Sequence, residues 1–114
     1  MIAILALVLA AAPAQASDST DLAKAEQQMD LEFERAMDRL RHCKRTNTVK
    51  CYYWHVAAPR LQREQVAWNA WRDAKCDLDA VEMEGTSGDA DYRNYLKARM
   101  TKARAAELSK LGRN

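Results

Sequence analysis

Residues that break regular structure are scarce here, with three glycines and two prolines in the whole chain. That scarcity excludes a phosphate-cradling glycine loop and leaves few positions for tight turns. No stretch shows the alternating polarity of a half-buried strand, so no β-sheet is expected. No apolar run reaches the roughly 20 residues that span a bilayer. The longest, Ile2 to Ala12, falls well short and has no lysine or arginine before it. No cysteine follows that run within a few residues, which argues against lipid attachment. Nothing pairs a nucleophile with a base or sets two carboxylates for acid–base work, so no catalysis is expected.

Acid is missing from one region and base from another. Between Arg39 and Arg63 lie Arg41, Lys44, Arg45, Lys50 and Arg60 with no acidic residue among them. From Asp73 to Asp91 the acids Asp77, Asp79, Glu82, Glu84 and Asp89 face Lys75 alone. The chain turns basic again from Arg93. The net charge of +2 therefore hides a separation of charge, which supplies candidate surfaces for a charged partner. Solvated helix faces that pair with one another are the plainer reading.

What is present begins with an export signal. Pro13 ends the apolar run, and Ala14-Gln15-Ala16 forms the small-x-small pattern read by signal peptidase, with cleavage expected before Ser17. An uncleaved anchor and a buried helix are the alternatives. Residues 1–16 are thus read as a signal peptide and 17–114 as one domain, long enough for one modest core. No stable membrane insertion is expected after cleavage.

Three helices are expected. Asp18 to Asp21 offer caps for a first helix over about 20 to 44, carrying Leu22, Met29, Phe33, Met37 and Leu40 at helical spacing. Residues 45–58 lack a period and read as a loop. Pro59 suits the first turn of a second helix, with Leu61, Trp68, Trp71, Leu78 and Val81 as its buried stripe. Gly85-Thr86-Ser87-Gly88 is a stop signal. Ser87 or Asp89 can cap a third helix, with Tyr92, Leu96, Met100, Ala103 and Leu108 or Leu111 inward, and Gly112 ends it. The expected fold is all-α, a small three-helix bundle or a helical hairpin with a third packed helix.

Within the second helix, Trp68, Trp71, Arg72, Asp73 and Cys76 form the most distinctive run. Residues three and four apart share a helix face, so Trp68, Trp71 and Arg72 cluster, with Cys76 one turn beyond. The two indoles would anchor the core. Arg72 is expected to reach carboxylates on the first or third helix, and Asp73 to be exposed or paired with a neighbour.

Three cysteines allow one disulfide and leave one thiol. Cys43 and Cys51 can meet across a local reversal, with Cys51–Cys76 or Cys43–Cys76 as the other pairings. A free Cys76 could pack as a small apolar residue on the tryptophan face or link two chains into a covalent dimer. His42, Cys43, Cys51 and His55 carry metal-ligand chemistry, but their spacing matches no common zinc pattern, so neither metal nor cofactor is expected.

The stretch from Leu61 to Leu111 resembles the LprI-type lysozyme inhibitor family. The resemblance rests on Gln65-Val66-Ala67-Trp68, on Trp71-Arg72-Asp73-x-x-Cys76, on the glycine-containing break, and on Met100 to Leu108. It differs in its cysteines: Cys43 and Cys51 bracket the basic segment, and Leu96 stands about where the family places a cysteine. The resemblance implies a secreted or periplasmic helical protein, lysozyme-inhibiting in some members. Glycosidases of that kind cleave with two carboxyl groups. Arg41, Lys44, Arg45 and Lys50 can offer cations to such oxygens, while Tyr52, Tyr53 and Trp54 occupy sugar subsites. The acidic 73–91 segment is the competing surface. The expected partner is thus a protein, with a lysozyme as the leading candidate. The alternative is an envelope module binding a protein or an anionic polymer. Nucleic-acid binding would require residues 1–16 not to be a signal, and is not expected.

Overall fold

The computed structural model describes residues 14–42 and 53–113. Three helices make up the architecture: α1 (Ala14–Arg41), α2 (Trp54–Asp79) and α3 (Asp89–Lys110). They form a small all-helical bundle, as expected, with no strand among the described residues. The helices run up, down and up. Met29 of α1 meets Gln65 of α2, Arg72 of α2 meets Thr101 of α3, and Arg39 near the end of α1 meets the end of α3. Residues 43–52, which include Cys43 and Cys51, lie outside the described residues, as does residue 114.

Helix α1 begins at Ala14, ahead of the expected cleavage point, and ends three residues short of the expected Lys44. Its buried positions are Ala25, Met29, Glu32, Ala36, Met37 and Leu40. Steps of three and four, with Ala36 and Met37 side by side, make this one face of a helix. Phe33 packs against the same core from a partly buried position. Helix α1 packs mainly on α3, whose Ala98, Thr101, Arg104, Ala105 and Leu108 face inward. Tyr92 and Ala103, expected inside, are exposed, while Leu96 and Met100 are half-buried. Small residues at 98 and 105 let α1 approach closely, and the phase of α3 follows them rather than its larger side chains.

The beginning of α2 differs from the sequence reading. The helix starts at Trp54, five residues before Pro59, so residues 54–58 are helix and not loop. The first turn is secured by the amides of Val56 and Ala57, both donating to the Tyr53 carbonyl at 2.9 and 2.8 Å. Pro59 lacks an N–H, so the His55 carbonyl forgoes its usual helical donor. Local hydrogen bonding on either side carries the helix through.

The turn between α2 and α3 is compact. Ala80 is fully buried, a single 3-10 turn covers Val81–Met83, and Gly85 has φ +78°, a left-handed value suited to glycine. The N-cap of α3 is Gly88, with no side-chain cap from Ser87 or Asp89. Asp89 and Asp91 sit instead in the first turn and Lys110 in the last, as the helix dipole favours. At the far end, Arg39 donates from Nη2 to the Leu108 carbonyl at 2.7 Å and from Nε to the Leu111 carbonyl at 2.8 Å. An arginine of α1 thereby caps the C-terminus of α3. Gly112 at φ +77° allows that approach, since a Cβ there would lie 3.3 Å from Arg39 Cβ.

Candidate functional site

The interior of the bundle is polar where α2 faces the other helices. Its buried residues are Ala58, Leu61, Gln65, Arg72 and Cys76, at steps of three, four, seven and four, with half-buried Trp68 inside the longer gap. Trp71, Leu78 and Val81, expected on this stripe, are 53%, 67% and 56% exposed. At about 100° per residue, Trp71 and Leu78 point roughly 80–100° away from Leu61, whereas Gln65, Trp68 and Arg72 stay near it. The helix has turned its largest off-phase apolar groups outward and its in-phase polar groups inward.

Those inward groups are satisfied. Arg72 Nη1 donates to Thr101 Oγ1 at 3.0 Å and lies 3.3 Å from Glu26 Oε1. Its Nε and Nη2 reach Asp73 Oδ1 at 3.0 and 2.9 Å. Arg104, only 4% exposed, donates from Nε to Gln65 Oε1 at 2.9 Å and also pairs with Glu64 and Glu107. Gln65 Nε2 turns to Met29 Sδ at 3.3 Å. Trp68 lies between the two arginines, with each guanidinium carbon 5.7 Å from its ring centroid. A desolvated cation gains from an aromatic face, and buried charge is tolerated only when paired in this way. The sequence-predicted cluster of Trp68, Arg72, Asp73 and Cys76 is thus brought together, without Trp71, and it braces the three helices.

Cys76 is fully buried, its Sγ 3.5 Å from Met100 Sδ. Burial pushes its thiol up, opposed in part by Lys97 and Arg72. Burial favours the neutral thiol over the thiolate, and a bond through it to a second chain would require α2 and α3 to part. Among the described residues no group of histidine, cysteine and acid could hold a metal ion. Arg93 ties α3 to α2 through Asp77, and its hydrogen bond to Asp89 on its own helix is the main cause that pushes its pKa up.

The opening lies at the other end of the bundle, where α1 finishes and α2 begins. A groove of about 570 Å³ runs between Leu40, Ala57, Leu61 and Leu111, edged by Tyr53, Val56, Arg60, Glu64, Arg104 and Glu107. Of the proposed binding residues, Tyr53 lines this groove, and Tyr53, Trp54 and Arg41 are exposed. The Trp54 ring stands edge-on to His55 at 6.1 Å between centroids. Lys44, Arg45, Lys50 and Tyr52 lie outside the described residues. Arg60, Gln65, Thr101 and Arg104 were missed as a group. The signal that would have found the last three is their phase on their helices, which places them opposite one another.

Fold and interior together define a small helical domain braced by an indole held between two guanidinium groups. The chain belongs to the LprI lysozyme inhibitor family, whose model, described as lysozyme inhibitor LprI, matches residues 10–108. Membership of an inhibitor family accords with a non-catalytic protein whose partner is another protein. No curated protein and no solved structure matches the chain. No helix among the described residues is long and apolar enough to cross a membrane.

Proposed function

We propose that this chain is a secreted or periplasmic binding protein that inhibits a lysozyme-type glycoside hydrolase by surface contact, without chemistry of its own. The family match over residues 10–108 carries the reading. The geometry supports a division of labour. The charged interior is occupied in bracing the helices, whereas the groove end offers exposed aromatic rings and arginines. Tyr53 and Trp54 present flat apolar faces suited to sugar subsites, and Arg41 and Arg60 supply cations for the carboxyl pair of a hydrolase cleft. Lys44, Arg45 and Lys50 add to that charge. A disulfide between Cys43 and Cys51 would hold the segment in shape and lessen the ordering cost on binding. Export follows from the apolar Ile2–Ala12 run and the Ala14-Gln15-Ala16 site.

A cell-wall turbidity assay tests the reading. Purified protein added in molar excess should slow lysis by at least one lysozyme type. Reversing Arg41, Lys44 and Arg45 to glutamate should remove that effect while leaving helix content unchanged. Undiminished lysis across several lysozyme types would refute inhibition.

A further inference from the structure

The outward side of α2 carries an apolar seam that no part of the described chain covers. Ala67, Trp71, Ala74 and Leu78 follow one another at steps of four, three and four, the spacing of a helix-pairing seam. All four are exposed. Their sizes alternate small, large, small, large. Invert the helix about the midpoint between Trp71 and Ala74, and Trp71 meets alanine 74 of an identical helix while Ala67 meets leucine 78. Every large side chain then faces a small one, which permits close helix approach. A parallel alignment would instead set indole against indole and leave the alanines facing a gap.

The charges obey the same inversion. Arg60 and Arg63 precede the seam; Glu82 and Glu84 follow it. None of these four makes a salt bridge among the described residues. At about 1.5 Å per residue, Arg63 lies about 14 Å before the midpoint, while Glu82 and Glu84 stand in the turn just past the other end of α2, which closes at Asp79. Inversion therefore turns the arginine end of each helix toward the glutamate-bearing turn of the other, whereas parallel pairing sets like charge against like. Steric and electrostatic patterns were laid down by different residues, and both select the same partner and direction.

We propose that this face of α2 pairs with the same face of a second copy of the chain, antiparallel about a two-fold axis between Trp71 and Ala74. Such an interface is self-complementary and closed, so association stops at the dimer. It is non-covalent and independent of Cys76. It also does not depend on the identity of the hydrolase.

Sedimentation velocity over about 1 µM to about 1 mM protein tests it. A reversible monomer–dimer equilibrium is expected, weakened by salt because the end charges are exposed. Ala74→Arg, at an exposed position, should raise the dissociation constant at least about tenfold with helix content unchanged. Arg60→Glu with Arg63→Glu should also weaken the dimer. Adding Glu82→Arg and Glu84→Arg to that pair should restore it, which only an antiparallel arrangement allows. A chain that stays monomeric throughout overturns the proposal. So does a dimer indifferent to Ala74→Arg, or a fourfold charge variant no tighter than the twofold one.

Discussion

The two sides of α2 assign residues in opposite ways. Inward, Gln65 and Arg72 are each only 7% exposed; outward, Trp71 and Leu78 are more than half exposed. Hydrophobicity alone would exchange them. Partnering decides the outcome, because every inward polar group meets a complementary one on α1 or α3. A buried arginine that has lost its partners is costly, whereas an exposed apolar side chain costs little by itself. The inner side therefore sets how the helices are held, and the outer side is left to meet other molecules.

Removing a member of the inner set should break this arrangement most severely. Arg104→Ala strips the donor from Gln65 Oε1, ends the ion pairs to Glu64 and Glu107, and empties space beside Trp68. The expected loss is about 3 kcal/mol of unfolding free energy, from the orphaned Gln65 acceptor and the emptied space, since Glu64 and Glu107 are largely exposed. Urea titration followed by far-ultraviolet circular dichroism measures it. A loss below about 1 kcal/mol, the level of an exposed ion pair, would show that the inner set does not brace the bundle.

The two neighbouring indoles provide the sharper contrast. Trp68→Ala should cost about 3 kcal/mol, since it removes a packed ring and the aromatic face shared by two cations. Trp71→Ala, measured in dilute protein, should cost less than about 1 kcal/mol, because more than half of that residue is already in water. Equal losses for the two would contradict the opposed character of the faces.

This contrast also marks how far the sequence could be read. Helix number and order were legible from Met29, Met37, Leu40, Leu61 and Leu108, whose burial follows their spacing. The start of α2 was not, because Pro59 signals a first turn and the hydrogen bonds that extend the helix back to Trp54 are made regardless of side chain. The inner face was misread where Trp71 and Leu78 outrank Gln65 on any hydropathy scale, whereas the expected reach of Arg72 to a first-helix carboxylate is met at Glu26. The other compensating groups, Thr101 and Arg104, lie more than 25 positions away, and only their phase on the third helix hints that they arrive. Of the binding candidates, the aromatic pair Tyr53 and Trp54 was legible as the less buried end. Arg60 and the groove were not, since they need the end of α3 beside the start of α2.

The smallest expected effect is a pH dependence confined to the inner face. Burial pushes the Cys76 thiol up, so the folded chain holds this proton more tightly than the unfolded chain does. The resulting stabilisation is complete below the ordinary thiol range and is lost as pH rises through the elevated folded value. Unfolding free energy should therefore decline across that alkaline window. Cys76→Ala should be less stable at neutral pH, having lost the sulfur contact with Met100, yet decline less steeply over the window. The difference between the two slopes isolates Cys76 from every other group titrating in alkali. Parallel slopes would mean that the thiol is solvated after all, and that the lower half of the inner face is open to water.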